Sequence, residues 1–187
     1  MSTPLDSMAM SCACGQVGFE VRGAPILVVT CHCGSCRQAG ATFAAMPGAA
    51  RVFDDEGGTP FIMARKDRIT CVRGEGLLRA YRLTPTSSTR RVLTSCCQSP
   101  MFLEFENGHW LSMYRNRFDA SAPPSTMRVM VGDLAGRTLS PPRAYRTHSV
   151  SFMWRLLKAW AAMGFRVPPP LPAAPFSAPV DAPAAHM

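Results

Sequence analysis

The sequence predicts a mainly β domain followed by one C-terminal helix, on three observations. Seventeen prolines and fourteen glycines in 187 residues, with 17% charged residues, favour turns and short strands over long helices. Val17, Phe19 and Val21 alternate with Gly18, Glu20 and Arg22, the period of a half-buried strand. Val150 to Phe165 is apolar on nearly every side, with Ser149 or Ser151 placed to cap a helix there. The length suits one domain with its own core and is short for two.

In chain order, residues 1–10 are expected to be disordered, and the β domain should span 11–145. The strand at Val17 to Arg22 is punctuated by Gly23 and Pro25, and Ile26 to Thr30 forms a second strand that delivers Cys31. A third short strand is expected over Thr42 to Met46, turned by Pro47-Gly48. Strands then follow at Thr59 to Met63, Ile69 to Val72 and Leu77 to Leu83, with Gly74-Glu75-Gly76 turning the chain between the last two. Arg90 to Thr94, Met101 to Phe105 and Trp110 to Tyr114 continue an antiparallel meander, with a turn at Asn107-Gly108. Imperfect alternation around Arg79 and Tyr81 leaves the buried face of that strand open. Thr126 to Val131 is the last strand, and Pro141-Pro142 ends the compact part. The helix, within 146–167, is stopped by Gly164 and Pro168, and the Pro-Ala tail of 168–187 lacks the apolar content to pack.

Seven of the eight cysteines fall into patterns that suit metal binding. Cys31, Cys33 and Cys36 put three thiols into six residues. On an extended backbone Cys31 and Cys33 share a face, and the Gly34-Ser35 turn lets Cys36 fold back. Such a three-thiolate claw suits tetrahedral Zn²⁺ and leaves a fourth position for water or a substrate sulfur, which points to chemistry. The alternative is reduced core cysteines or one disulfide. Cys12 and Cys14 also share a face, and with Cys96 and Cys97 they could complete a closed four-cysteine site. Neighbouring strand residues face opposite ways, so both Cys96 and Cys97 can ligate only if the backbone bends there. Two buried thiols without a metal is the other reading of that pair. Cys71 reads as a core thiol, and His32, between two metal-facing cysteines, should point to the opposite side. Thiol-disulfide chemistry through Cys33 and Cys36 lacks the βαβ context such a motif expects.

The formal charge of +8 comes almost entirely from arginine, scattered from Arg22 to Arg166 without a run or a recognition-helix pattern. A solvated basic surface is therefore expected, and nucleic acid is not. Met1 to Met10 shows no basic leader and no apolar signal core, and no run of about 18 apolar residues suggests a membrane span. A reducing cytoplasm fits clustered thiols. The helix at Val150 to Phe165 must cover its apolar surface, either on its own sheet or, as the sharper alternative, in a homodimer or at a membrane surface through Trp154 and Trp160.

The order Cys12-x-Cys14-Gly15-x-Val17, then Cys31-His32-Cys33-x-x-Cys36-Arg37, then Gly40 and Phe43, resembles the glutathione-dependent formaldehyde-activating enzyme family, whose domain is shared with centromere protein V. The resemblance covers Ser11 to Tyr114. It implies an Mss4-like β-tent of small antiparallel sheets around one or two zinc ions. The family closes with Phe-Cys-x-x-Cys-Gly-Ser/Thr-Pro, and here Thr94 stands at the first cysteine, while Cys97-Gln98-Ser99-Pro100 matches the second half. Cys96 is the candidate substitute, as in a divergent branch with a Cys-Cys-x-Thr/Ser-Pro element. The resemblance implies a catalytic metal on Cys31, Cys33 and Cys36 and a structural one on the Cys12 and Cys14 pair. It also implies carbon-sulfur lyase activity joining a small carbonyl, formaldehyde, to a thiol, glutathione, with Arg37 placed to pair with a glutathione carboxylate. A non-catalytic zinc-binding interaction module using the basic surface is the rival reading.

Overall fold

Alternating and continuous apolar runs resolve into two sheets in the computed structural model, which describes residues 7–46, 50–134 and 139–176. In chain order the elements are β1 (Ser7–Ser11), β2 (Gly18–Arg22), β3 (Leu27–Cys31), α1 (Gly34–Ala44), β4 (Thr59–Arg65), β5 (Ile69–Arg73) and β6 (Leu78–Tyr81). Then come β7 (Thr89–Thr94), β8 (Pro100–Phe105), β9 (Trp110–Tyr114), β10 (Met127–Val129), α2 (Val150–Ala161) and β11 (Ala174–Pro175). Among the described residues these eleven strands form a three-stranded sheet, β1-β2-β5, and an eight-stranded sheet, β10-β3-β4-β9-β8-β7-β6-β11. The expected mainly β class with a C-terminal helix is the one observed. Pairing is antiparallel except at two places, where β10 runs parallel to β3 and β11 parallel to β6.

The large sheet is buried on both faces. Val28, Ile62, Val92, Phe102 and Met113 face the small sheet, where they meet Met8, Met10, Phe19 and Val21. The rings of Phe19 and Phe102 cross edge to face at 5.8 Å between centroids. Their neighbours Leu27, Val29, Phe61, Met63, Leu93 and Leu103 face the other way, against Phe43 of α1 and Phe152 and Leu156 of α2. Burial on two faces explains why these strands read as continuous apolar runs rather than as alternating ones.

Four expectations need correction. Ser7 to Met10 belong to β1 rather than to a disordered end, because Met8 and Met10 alternate with exposed Ser7 and Ala9 and pair with β2. Thr42 to Met46 is no strand: Thr42 to Ala44 complete α1, and Ala45 caps it. The period there is helical, since Cys36, Ala39, Gly40 and Phe43 share one buried face. A Cβ at Gly40 would lie 2.2 Å from the Phe53 ring, so any side chain there would have to displace that ring. Pro47 and Gly48 fall outside the described residues. The meander holds only from β6 to β9, because β5 leaves for the small sheet and β4 inserts between β3 and β9. Finally, residues 168–176 dock along the sheet. Leu171 and Ala173 pack on the core, Arg90 Nη2 donates to the Leu171 carbonyl, and Phe176 N donates to Ala80 O at 2.8 Å. Extended proline-rich chain needs no internal hydrogen bonds, so edge pairing and ring contacts such as Tyr81 with Phe176 suffice to hold it.

Ser149 caps α2, its hydroxyl accepting from Phe152 N at 3.2 Å. One stripe of the helix and its C-terminal turn, Phe152, Leu156, Ala159 and Met163, is buried on the protein's own sheet, leaving Val150, Met153, Trp154 and Leu157 exposed. Among the described residues no helix is long and apolar enough to cross a membrane. The second anchor of α2 is His109, whose Nε2–H donates to the Leu156 carbonyl at 3.0 Å while its ring stacks on Trp160 at 5.8 Å. Burial, reinforced by Lys66 and Arg65, lowers the His109 pKa against the raising effect of the Leu156 bond.

A histidine whose folded pKa is depressed stabilises the fold above its unfolded pKa and loses that contribution as pH falls toward the folded value. His109→Gln keeps an amide donor for Leu156 O but cannot titrate. Chemical denaturation between about pH 7.5 and about pH 5 should show a steeper loss of stability in the parent than in His109→Gln. Equal slopes would remove His109 as the acid-sensitive anchor of α2.

Candidate metal centres

The first group joins the two sheets. Cys12 follows β1, Cys14 stands in a turn whose Gly15 has φ +77°, and Cys96 and Cys97 lie in the β7–β8 turn. Gln98 there adopts φ +54°, a left-handed bend that brings both adjacent cysteines to one side. The Sγ atoms of Cys12 and Cys14 are 3.5 Å apart, Cys12 and Cys96 3.9 Å, Cys14 and Cys96 3.4 Å, and Cys96 and Cys97 3.8 Å. Sulfurs about 2.3 Å from a central zinc form a tetrahedron with edges of about 3.8 Å, whereas a disulfide requires about 2.05 Å. The spacing thus fits a tetrahedral metal, and all eight cysteines are unbridged.

Thr94, at the place of the family's first cysteine, is buried and holds the turn instead of ligating. Its Oγ1 lies 3.4 Å from Cys97 Sγ and accepts from Ser99 N at 3.2 Å. Cys96 supplies the fourth sulfur. Burial opposes ionisation of Cys97, yet hydrogen bonds from Ser99, Thr94 and the Cys14 backbone pull it down to about 5. Burial and the hydrogen bonds to Cys14 and Cys97 push Cys96 up to about 12, although Thr94 opposes the rise. Thiols this close cannot all ionise by themselves, and a divalent cation among them removes that conflict.

The second group sits where a strand becomes a helix. Cys31 ends β3, Cys33 is the N-cap of α1, and Cys36 lies in the first helical turn, all three sulfurs within 4.8 Å of one another. The claw therefore stands between a strand and a helix rather than between strands, and Gly34-Ser35 opens the helix. Cys33 Sγ accepts from Cys36 N at 3.4 Å, in the positive field of a helix N-terminus. Hydrogen bonding from Cys31 and Cys36 holds Cys33 well below the usual thiol range. Among the described residues no fourth protein ligand joins these three, so the group is open.

Beneath it lies Arg91, 0% exposed, with Nη2 donating to Ser35 O at 3.1 Å and Nε and Nη1 without hydrogen-bond partners. A buried guanidinium with unpartnered donors requires nearby negative charge, and its field acts on Cys36 and on the buried Tyr114. A deprotonated, metal-binding sulfur triad meets that requirement. Above the sulfurs opens a cavity of about 470 Å³ with walls from Phe61, Met63, Leu103 and Trp110 and from Phe152 and Leu156 of α2. A larger groove of about 680 Å³, beside Arg73 and Arg117, touches only Cys12 of the sulfurs. It borders the closed group and offers no open ligand position.

Of the residues singled out in the sequence, seven cysteines assemble as two groups, four and three. Cys71 belongs to neither and donates to Arg73 O at 3.3 Å. His32 is turned from the sulfurs, its Nε2 3.3 Å from Arg128 Nη1. Arg37 does not line the cavity. One residue beyond Cys36 it is rotated by about 100° around the helix, and Nη2 donates instead to Asp133 O at 3.3 Å. Arg91, Tyr114 and the apolar walls were not legible in the sequence, since each comes from a strand or helix remote from the cysteine motif and carries no local signature.

A small β domain with one four-sulfur and one three-sulfur group has two places that could hold a metal ion. The chain belongs to the glutathione-dependent formaldehyde-activating enzyme family, whose model matches residues 7–116. No curated protein matches the chain. Among solved structures, a crystal structure of a Rhodobacter sphaeroides protein from structural genomics aligns at 18% identity and a TM-score of 0.45. That alignment covers 62% of this chain and 92% of that one. The likeness is too distant to carry an argument.

The two groups should fail differently, because a closed site contributes its metal-binding free energy to folding. A structural zinc site is worth on the order of 10 kcal/mol, comparable to a whole domain's stability. Cys14→Ser should therefore melt far below the parent, and Cys36→Ser should stay folded with about one metal fewer per chain. Thermal melts paired with metal counts decide this, and the reverse pattern would exchange the structural and reactive assignments.

Proposed function

We propose that this protein joins or releases a small carbonyl compound and a thiol at the Cys31, Cys33 and Cys36 centre, as a zinc-dependent carbon-sulfur lyase. The observation that supports this most is an open three-sulfur group at the floor of a half-open, mostly apolar cavity. Zn²⁺ bound there would keep a thiol ionised at neutral pH and act as a Lewis acid toward a carbonyl oxygen. In the addition the thiol sulfur bonds to the carbonyl carbon and the thiol proton passes to the oxygen, so atoms balance without a redox partner.

The chain's own residues set the conditions for that exchange. Cys33 and Cys36, fixed by the first turn of α1, hold two sulfurs in place, and Cys31 brings the third from β3. Arg91 offsets the negative charge of three thiolates from the protein side. Phe61, Met63 and Leu103 keep bulk water from the adduct, while the hydroxyls of Thr89 and Ser112 are neutral hydrogen-bonding groups within the wall. Glutathione and formaldehyde are the pair named by the family, a second zinc in the four-sulfur group is structural, and eight unbridged thiols suit the reducing cytoplasm.

Magnetisation-exchange NMR of formaldehyde with a thiol tests this reading. The zinc-loaded protein should accelerate adduct exchange over buffer and over a carrier that only binds the thiol, and Cys36→Ser should abolish the acceleration. Rates equal to those controls with zinc fully loaded would leave the centre a scaffold without catalysis.

A further inference from the structure

Among the described residues, eighteen line the cavity over the open sulfur group, none of them Asp, Glu, Lys or Arg. Its polar groups besides the cysteines are Ser35, Thr89, Ser112, the Trp110 indole N–H, which has no hydrogen-bond partner, and one imidazole, His148, whose ring packs on Phe152 at 4.5 Å. Five basic side chains are engaged or sealed away from it. Arg37 donates to Asp133 O, Arg90 and Lys66 both pair with the buried Glu104, and Arg91 is sealed behind the sulfurs at 0% exposure. Lys158 lies over the Trp154 ring, which does not line the cavity. Glutathione carries two carboxylates and an ammonium group, and one imidazole can meet only one of them. A charge carried into such walls without a partner is strongly disfavoured, whereas hydrocarbon gains from every contact.

A second observation is independent of the first. Val129, Met130, His148, Phe152, Met153 and Leu156 all line the cavity, and all lie beyond residue 116, where the family match ends. A third of the wall is thus supplied by a segment that the family description does not cover, chiefly by α2. The thiol named by the family therefore need not be the thiol this cavity accepts.

We propose that the thiol used at this site carries an uncharged alkyl or aryl group in place of the charged tripeptide, and that α2 is the wall that selects it. The inference rests on the reading of the sulfur centre as the place where a thiol and a carbonyl meet. The thiol sulfur lies toward Cys31, Cys33 and Cys36, and its hydrocarbon part fills the space between Phe61, Met63, Leu103 and the inner stripe of α2. Thr89 and Ser112 leave room for one small neutral oxygen, such as that of an aldehyde or its adduct. Met153 stands at the rim, 55% exposed yet lining the cavity, so it borders the entrance as well as the interior.

The test is calorimetric binding of ethanethiol, butanethiol, hexanethiol, benzyl mercaptan and glutathione to the zinc-loaded full chain. Since sulfur–metal contact is constant along the alkyl series, the slope reports the cavity alone. Affinity should rise about fourfold per added methylene until the cavity fills, with glutathione weaker than butanethiol. Met153→Glu, a rim substitution at an exposed position, should weaken hexanethiol several-fold more than ethanethiol. Trp154→Glu, equally exposed but outside the cavity, should leave the whole series unchanged. A flat series, glutathione binding tighter than the alkyl thiols, or equal losses in the two variants would each overturn the proposal. Exchange NMR separates it from the lyase reading. A steep binding series with no accelerated exchange keeps the cavity's preference and removes the lyase, whereas accelerated exchange with glutathione alone keeps the lyase and removes the preference.

Discussion

Four sulfurs from two stretches more than eighty residues apart meet between the sheets, and the rest of the architecture follows from that meeting. Cys12 and Cys14 come from the edge of the small sheet and Cys96 and Cys97 from a hairpin of the large one, with separations of 3.4 to 3.9 Å. Bringing them together sets β1 and β2 over β7 and β8, which places Met10, Phe19 and Val21 against Val92 and Phe102. Loop closure over more than eighty residues is entropically costly, so a metal bridging the four sulfurs would stabilise the fold by holding that closure as well as by its bonds.

The opposite face of the same sheet carries the open centre, and the division of labour between the faces is physical. The face toward the small sheet is sealed by a second layer of strands, whereas the other is covered by two helices that leave space between them and the sheet. A helix start supplies oriented N–H groups where Cys33 and Cys36 stand, which a strand at Thr42 to Met46 would not have done. Arg91 belongs to both faces of this logic. Arg91 itself is fully buried in β7, and the adjacent sulfur triad supplies the negative charge that a guanidinium there calls for.

Charge clusters fasten the segments that the strand pattern leaves loose. Lys66 and Arg90 converge on Glu104 at 2.7 and 2.5 Å, and both cations also donate to carbonyls of the tail, at Pro168 and Leu171. Arg128 pairs with Asp54 and Glu56 beside His32, tying β10 to the loop before β4. Removing the central member of either cluster, Glu104 or Arg128, would leave both of its partners uncompensated, a larger loss than the net worth of the pairs.

Local features were decided by the sequence alone, because they depend on residues a few positions apart. Alternation at Val17, Phe19 and Val21 marked β2, Ser149 marked the start of α2, and the spacings at Cys12 and Cys31 marked both sulfur groups. Joint use of Cys96 and Cys97 needs a bend in the backbone, and Gln98 supplies it. The tertiary structure alone decided what depends on register between distant strands. It placed Cys96 rather than Thr94 among the sulfurs, put Arg91 beneath the triad and turned Arg37 away toward Asp133. It also docked a proline-rich tail whose composition argues for disorder, because an open sheet edge and the Arg90 and Lys66 donors offered what the tail could not supply itself. The cavity is the fullest case. Its walls come from eight separate elements and the loops between them, each apolar for its own packing reasons, and no short-range pattern records that they line a common space.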